Sequence, residues 1–310
     1  MTGGAGFLGS HLVEALLARG DRVVVLDDLS TGTREHVPAD AELVRADVAD
    51  ANAVASVFSR GRFELVLHVA GQASIPQSFA RPVRDLRTNV EGTVNAIESC
   101  VASGVPRLVY ASSMTVYGEP EQVPTPEGAR CRPVSYYGVT KYAAERYVQV
   151  AGARTDVDLD VTSLRMFNVY GERQSLTNPY QGVLAIFIGN VLRGEPITIH
   201  SDGRQTRDFV YVGDVVEAWL AAAGEDSARD GVYNVGSGVE TSIVDLADGV
   251  LAALGRSRDD YEVRTGPAQR GDQRRAAADV TALREGVGWT PRTPTAEGLE
   301  RTVEWAARHG

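Results

Sequence analysis

Cysteine is almost absent from this sequence, which has only Cys100 and Cys131 among its 310 residues. Two cysteines provide neither a disulfide framework nor the ligand pattern of a zinc site, and no metal site is predicted. Long apolar runs are also missing, since none approaches the roughly 20 residues that span a membrane. No basic region followed by an apolar core opens the sequence, so no export signal is visible and a cytoplasmic location is expected.

Positive charge is scarcer than negative charge. Lysine and arginine total 31 against 41 acidic residues, which gives a net charge of −10. A basic surface that follows the phosphates of a nucleic acid is therefore not expected. The composition is otherwise that of an ordinary globular protein, with 43% hydrophobic and 23% charged residues. The length suits one large domain with a lobe, or two domains that share a core.

Short apolar runs alternate with helical patterns over the first half of the chain. Strand-like runs occur at 22–26, 43–46, 65–70, 107–112 and 161–169. Between them lie helix-like segments, such as the apolar stripe of Leu8, Leu12 and Leu16 before Gly20. Nearly all-apolar strands separated by helices indicate a parallel sheet that is covered on both faces. We predict an α/β fold with a Rossmann-type doubly wound parallel sheet in residues 1–170.

The regular alternation of strand-like and helical patterns ends at about residue 170, after which glycine, proline and asparagine are more frequent. Short strand-like pieces follow (ITIH, FVYV, VYNVG and YEVRT), with helical patterns at 242–254 and 295–308. These features predict a smaller C-terminal α/β lobe, residues 171–310, and the family resemblance described below implies that it binds the substrate. We expect the chain to cross between the two parts.

The stretch TGGAGFLGS at residues 2–10 contains Gly4-x-Gly6-x-x-Gly9. The helical pattern starts inside it, as it must if helix N-terminal amides are to face a pyrophosphate. The next strand ends at Asp27, about 20 residues on, where a carboxylate can bond the adenosine ribose and would repel a 2′-phosphate. The pattern favours an NAD site over an NADP site. The alternative is a helix-capping turn followed by a surface aspartate.

Only Met1 and Thr2 precede these glycines, whereas such a fingerprint is expected to follow an apolar strand. One hypothesis is that the native chain starts upstream of Met1. The intact mass of the native protein would test it.

The stretch SYYGVTKYAAE at residues 135–145 places Tyr137 and Lys141 four residues apart. In a helix, both side chains share one face. The same spacing often arises by chance between surface residues. Tyr136 would point about 100° away on the helix and is assigned to packing or substrate contact.

With SSMTVYG at 112–118 and SYYGVTK at 135–141 behind the glycines, the sequence resembles the extended short-chain dehydrogenase/reductase family. Within it, the sequence is similar to the nucleotide-sugar epimerases typified by UDP-galactose 4-epimerase. The likeness covers nearly the whole chain, through the ordered segments DDLSTG, RADVAD, HVAGQAS, NVEGT, FNVYG, RDFVYVGD and YNVGSG.

The resemblance implies a catalytic set of three residues. Tyr137 would be the acid/base, Lys141 its electrostatic partner, and Ser113 the hydroxyl that bonds the sugar. A fixed ammonium and a positive nicotinamide are expected to lower the pKa of the phenol by ~3 from about 10, which takes ~4 kcal/mol.

The resemblance also implies the two binding sets. The NAD site is expected to comprise Gly3, Gly6, Phe7, Leu8, Gly9, Asp27, Asp28, Ser30, Gly32, Asp47, Val48, Ala70, Gly71 and Gln72, with Tyr137 and Lys141. The substrate site is expected to comprise Ser113, Met114, Thr115, Asn168, Arg207 and Arg270. Arg270 stands one place later than the corresponding arginine of the family.

The activity implied is an NAD-dependent nucleotide-sugar 4-epimerase that inverts C4 of a UDP-hexose through a transient 4-keto sugar. The hexose is glucose/galactose or an N-acetylated form, for which the small Ala276 leaves room. The alternatives are a dTDP-6-deoxyhexose 4-epimerase, a UDP-glucuronate decarboxylase or a nucleotide-sugar dehydratase, and a non-catalytic NAD-binding regulator. Dehydratases of the family carry an acidic pair where this chain has Met114 and Thr115. A homodimer through helices near 85–102 and 136–152 is a further expectation from the family.

Overall fold

The computed structural model describes residues 1–178, 182–268 and 273–309. The strands are β1 (Val24–Asp27), β2 (Glu42–Arg45), β3 (Val66–His68), β4 (Arg107–Ser113), β5 (Asp160–Met166), β6 (Asn168–Tyr170), β7 (Ile197–His200), β8 (Thr206–Arg207), β9 (Phe209–Tyr211), β10 (Gly231–Val235), β11 (Thr241–Ser242) and β12 (Val263–Gly266). The helices are α1 (Phe7–Ala18), α2 (Ala51–Phe58), α3 (Ile75–Ala80), α4 (Pro82–Leu86), α5 (Gly92–Ser103), α6 (Tyr136–Gly152), α7 (Val183–Leu192), α8 (Val212–Gly224), α9 (Ile243–Ala253), α10 (Thr281–Val287) and α11 (Thr295–His309). A π-helical turn, Arg87–Glu91, joins α4 to α5.

One parallel sheet forms the centre of the molecule. Its order is β2, β1, Thr2, β3, β4, β5 and β10, because Thr2 bridges to Leu26 on one side and to His68 on the other. From Thr2, successive strands are added first on one side (β1 and β2) and then on the other (β3, β4 and β5), so the direction of strand addition reverses at Thr2. Open α/β sheets bind ligands in the crevice at such a switch point, beyond the carboxyl ends of the strands. The predicted Rossmann-type fold is confirmed.

Residues 1–3 occupy the central position of this sheet. The Thr2 amide donates to the Leu67 carbonyl at 3.0 Å, and the Gly3 amide donates to the Leu26 carbonyl at 2.8 Å. The ammonium of Met1 donates to the Val24 carbonyl at 2.9 Å, and burial lowers its pKa to about 6. The turn that contains the glycines of residues 3–9, called the glycine turn below, therefore starts directly at the middle of the sheet.

Alternate residues of each strand face two separate hydrophobic layers, as the pleat requires. Val24, Leu26 and Leu108 pack with α2, α5 and α6 on one face. Val25 and Val109 pack on the other face with α1 and α8. Each of these fully buried side chains contributes roughly 1.5–3 kcal/mol of transfer free energy. The near-continuous apolar runs predicted this two-sided burial.

The C-terminal half contributes three small strand pairs, which are β6 with β9, β7 with β12, and β8 with β11. Strand β10 instead pairs with β5, so the chain crosses from the C-terminal half to the edge of the central sheet. The predicted run 161–169 is two strands, which are separated at Phe167. The domain division at residue 170 stays a prediction. Within the described ranges, no helix combines the length and the apolar character needed to cross a membrane.

Candidate active site

The glycine turn joins Thr2 to α1 at the carboxyl edge of the sheet. Gly3 has a φ of 72°, and a Cβ there would lie 2.6 Å from the Ala70 nitrogen. A Cβ at Gly9 would lie 1.9 Å from the Gly3 carbonyl oxygen. Only glycine fits these two positions. The turn and the first residues of α1 line a cavity, which is the arrangement that brings amides and helix dipole to a pyrophosphate.

Asp27 fastens the glycine turn to the end of β1. Its Oδ2 accepts the Ala5 amide at 2.9 Å and its Oδ1 accepts the Leu29 amide at 2.9 Å. Burial raises the pKa of this carboxyl, while the two backbone amides oppose the rise. The carboxylate therefore shapes the turn in addition to lining the cavity.

Gly32 departs from its predicted role, because it does not line the cavity. It packs behind the glycine turn, where a Cβ would lie 2.5 Å from the backbone of Ala5. The close approach of two backbone segments explains the glycine.

Helix α6 separates the two adjacent tyrosines. Tyr137 and Lys141 are 8% and 5% exposed and both line the cavity. Tyr136 is 50% exposed, packs its ring 5.4 Å from that of Phe79, and is outside the cavity wall. The packing role expected for Tyr136 agrees with this position, and a substrate contact does not.

Ser113 lies at the end of β4, beside the start of α6. The Thr115 hydroxyl donates to the Ser113 Oγ at 3.0 Å. Ser113 is also the hydrogen-bonding group that favours the ionised form of Tyr137. The three predicted catalytic residues therefore share one wall of the cavity.

The protein without its cofactor does not lower the pKa of Tyr137, and the expected fall, which included a positive nicotinamide, stays a prediction. Burial raises this pKa to about 12, and the negative charge of Asp85 adds to the rise, while Ser113 opposes it. The physical reason is that a buried phenolate loses its hydration. A lower pKa requires positive charge beyond what these side chains supply.

Lys141 is the only lysine of the chain, which has 30 arginines. Its Nζ lies 4.8 Å from the centre of the Tyr110 ring. Burial lowers its pKa to about 8, and Asp85 and Glu145 oppose the fall. Because arginine keeps its proton and lysine is compact and titratable, a lone lysine in an arginine-rich chain marks a position that needs an amine. This signal lies in the composition of the chain and belongs to no motif.

A cavity of about 960 Å³ connects these groups. Its wall contains every predicted site residue except Gly32 and Arg270, and Arg270 lies outside the described residues. The cavity continues into the C-terminal half along Gln174, Phe187 and His200. The structure therefore brings the predicted cofactor and substrate residues together, while their individual roles stay predictions.

Amide side chains on the C-terminal wall of the cavity carry unpaired oxygens. Asn168 Oδ1, Gln174 Oε1 and Gln205 Oε1 are buried and have no hydrogen-bond partner in the part of the chain that the structure describes. Buried polar atoms without partners are rare and indicate a missing ligand or water. Sequence reasoning named Asn168 only, because no motif signals the two glutamines.

Arg207 lies on the same wall, and its Nη1 donates to the carbonyls of Thr206 at 2.6 Å and Gln273 at 2.8 Å. Met114 and Thr115 line the cavity next to Ser113. Ala276 is buried with Met114 in a small apolar cluster. Among the described residues, no group of three or more metal-ligating side chains could hold a metal ion.

Sequence and structure comparisons with known proteins identify the same family. Residues 1–236 match the NAD-dependent epimerase/dehydratase family. The UDP-glucose 4-epimerase of Mycolicibacterium smegmatis is 40% identical over 311 residues, which cover 98% of this chain and 97% of that protein. The UDP-glucose 4-epimerase of Thermotoga maritima, solved with UDP-glucose, has a TM-score of 0.94 and 38% identity over 99% of this chain and 97% of its own.

The UDP-glucose 4-epimerase of Thermus thermophilus, solved with NAD, has a TM-score of 0.92 and 39% identity over 100% of this chain and 98% of its own. The chain therefore belongs to the NAD-dependent epimerase/dehydratase family and uses NAD as its cofactor.

Proposed function

We propose that this protein is a nucleotide-sugar 4-epimerase that inverts C4 of a UDP-hexose. One observation carries the proposal: Ser113, Tyr137 and Lys141 share the wall of the cavity that the glycine turn also lines. The relatives named UDP-glucose 4-epimerase support the uridine nucleotide and the hexose.

The residues present fit NAD. The turn at Gly3 and Gly9 has no room for a Cβ, so backbone amides can approach a pyrophosphate. Asp27 places a carboxylate at the end of β1, where a ribose hydroxyl can donate to it. When bound, NAD supplies the acceptor for the hydride from C4 and later returns it.

Tyr137 moves the proton of the reaction. Its ionised oxygen accepts the proton of the C4 hydroxyl as C4 is oxidised, and gives it back when C4 is reduced from the other face. Ser113, which Thr115 orients through the 3.0 Å bond, donates to or accepts from the same sugar oxygen. Lys141 holds positive charge beside Tyr137. Proton and hydride both return to the sugar, so the turnover leaves no net oxidation.

The C-terminal wall of the cavity holds the nucleotide while the keto sugar turns. Arg207 and the amide of Asn168 suit the diphosphate, because both can donate to phosphate oxygens. The unpaired oxygens of Gln174 and Gln205 can accept N–H or O–H groups of the nucleoside. Binding energy placed away from C4 leaves the reacting carbon free to present either face.

Met114 and Thr115 argue against water elimination. Both line the cavity beside Ser113, where an added acid and base would be needed. A thioether has no proton to give, and a threonine hydroxyl is a poor acid. Ala276 is buried in a cluster with Met114 and does not line the cavity, so an N-acetylated hexose as a second substrate is supported by the family resemblance alone.

A panel of nucleotide sugars tests the proposal. The protein is incubated separately with UDP-galactose, UDP-N-acetylglucosamine, UDP-glucuronate and dTDP-hexoses, and the products are separated. We expect UDP-galactose and UDP-glucose to interconvert without accumulation of NADH. Loss of water or carbon dioxide, or turnover of the dTDP-sugars alone, would contradict it.

We also propose a homodimer in the cytoplasm. An apolar stripe along α6 consists of Tyr136, Val139, Tyr147 and Val150, and these residues are 50, 49, 54 and 59% exposed. A second copy that packs against this stripe would bury it, which the hydrophobic effect favours. Both cysteines are free thiols, as is usual in a reducing compartment.

A further inference from the structure

A buried carboxylate connects α6 to the end of β3. Asp85 on α4 is 1% exposed. Its Oδ2 accepts the Thr140 hydroxyl at 2.6 Å, and its Oδ1 accepts the amides of Gln72 at 2.6 Å and Asn89 at 3.3 Å. Thr140 directly precedes Lys141, and Gln72 lines the cavity. Asp85 therefore connects Thr140, which precedes Lys141, to Gln72, which lies in the part of the cavity wall predicted to bind NAD.

Asp85 has no ion-pair partner within 4.0 Å among residues 1–178, 182–268 and 273–309. The other carboxylate that acts on Lys141 is Glu145, and it is paired with Arg165 through two bonds of 2.6 and 2.9 Å. Arg165 therefore offsets much of the charge of Glu145. The charge of Asp85 has no such partner, so Asp85 is the stronger influence on Lys141.

Among the described residues, the other groups around Lys141 do not supply a competing charge. The Tyr110 ring faces its ammonium from β4. His68 on β3 is neutral, because burial lowers its pKa to about 3. Arg84 and Arg87, on the same chain segment as Asp85, are exposed to solvent, which screens them. Tyr137 lies one helical turn before Lys141 on α6.

We propose that Asp85 is a positioning residue of the reaction, which keeps Lys141 protonated through its charge. The inference rests on the role of Lys141 in the proposed function. Asp85 acts in opposite senses on the two catalytic groups, since its charge favours the ammonium of Lys141 and opposes the phenolate of Tyr137. Removal of that charge should move the titrations of both groups to lower pH.

Because Lys141 is the only lysine in the sequence, its protonation can be measured without a turnover assay. Protein grown on lysine labelled with carbon-13 at Cε gives one lysine resonance, which reports the protonation of Lys141 as pH is changed. We expect a midpoint near 8 in the wild type. In Asp85→Asn we expect a midpoint lower by at least about one pH unit, the usual effect of a close opposite charge.

Two further variants distinguish charge from packing. Asp214→Asn makes the same chemical change at a buried carboxylate that bonds Thr293 and does not act on Lys141, so its midpoint should stay at the wild-type value. Thr140→Val removes the 2.6 Å bond and keeps the charge of Asp85, so its midpoint should lie closer to the wild type than to Asp85→Asn.

Turnover is measured on the same samples. We expect the whole pH–rate profile of Asp85→Asn to move to lower pH, whereas damage to packing alone would reduce its height without moving it. An unchanged Lys141 midpoint in Asp85→Asn, or an equal shift in Thr140→Val, would overturn the inference. Absence of epimerase turnover in the wild type would instead count against the proposed function, and the titration of Lys141 would remain readable.

Discussion

Lys141 holds its ammonium 4.8 Å from the centre of the Tyr110 ring, in a position where only 5% of the residue is exposed. A cation over an aromatic face gains ~0.5–2 kcal/mol. Removal of its water costs more than this, since burial lowers the pKa of Lys141 to about 8. The site therefore keeps a positive charge that destabilises the fold, which is a common property of functional sites.

The pH dependence of stability should show this cost. The folded pKa of Lys141 is about 8 and the ordinary value is 10.5. Between these values the unfolded chain still binds the proton that the folded chain has released, so a rise in pH stabilises the fold. The full effect corresponds to about 3 kcal/mol. Relative to Lys141→Met, the wild type should become more stable by up to that amount between about pH 8 and pH 10.5.

Urea unfolding of the two proteins across this range measures the difference, and titrations common to both cancel. A difference in unfolding free energy that is independent of pH would contradict a depressed pKa at Lys141.

Substitution of Tyr137 tests the proton transfer. Tyr137→Phe keeps the ring and removes the oxygen, so NAD and substrate should still bind. General acid–base help contributes ~10²–10⁴, and we expect kcat to fall at least ~10³-fold. Tyr136→Phe is the matched control, because its side chain is outside the cavity wall, and it should retain wild-type kcat. Near-wild-type turnover in Tyr137→Phe would exclude the assigned role.

Alanine substitutions at two glycines of the turn should have different effects, one on stability and one on NAD binding. A Cβ at Gly9 would lie 1.9 Å from the Gly3 carbonyl oxygen, whereas a Cβ at Gly6 would meet nothing closer than 3.4 Å. We therefore expect Gly9→Ala to lower the thermal midpoint of the apoprotein. Gly6→Ala should keep that midpoint and weaken NAD binding, because Gly6 lines the cavity. Equal midpoints in the two variants would show that the turn accommodates a side chain at Gly9.

The dimer depends on the apolar stripe of α6. A glutamate at Val150 would place a charge in the interface, where a desolvated and unpaired carboxylate is strongly unfavourable. Val150→Glu should therefore sediment as a monomer when the wild type sediments as a dimer. Val239 is 57% exposed and lies outside the stripe, so Val239→Glu serves as the control and should remain dimeric. A dimeric Val150→Glu would place the interface elsewhere.

Local motifs account for what the sequence predicted correctly. The glycine turn, the strand that ends at Asp27 and the pair of Tyr137 and Lys141 each lie within about one turn or one βαβ unit, where spacing determines geometry. The apolar runs of the central sheet are similarly local, and they placed the strands of the first half to within a few residues.

Long-range contacts account for what it did not predict. Thr140 and Asp85 are 55 residues apart in the sequence and are hydrogen-bonded in the structure. The side-chain oxygens of Gln174 and Gln205 are candidate ligand contacts only because the fold buries them in the cavity wall without a partner among the described residues. Burial raises the pKa of Tyr137 in the protein without its cofactor, because desolvation depends on packing that no motif records, and the fall expected beside a positive nicotinamide stays a prediction. Gly32 was read as a cofactor contact, and it is a close-packed support of the glycine turn.

The most direct test of C4 oxidation and return follows one hydrogen atom. UDP-galactose that carries deuterium at C4 is converted by the purified protein in ordinary water, and the UDP-glucose formed is examined by mass and NMR. If hydride leaves C4 for the bound cofactor and returns to the opposite face, the deuterium is retained at C4 of the product. Loss of the deuterium to solvent, or a product unchanged at C4, would contradict the account.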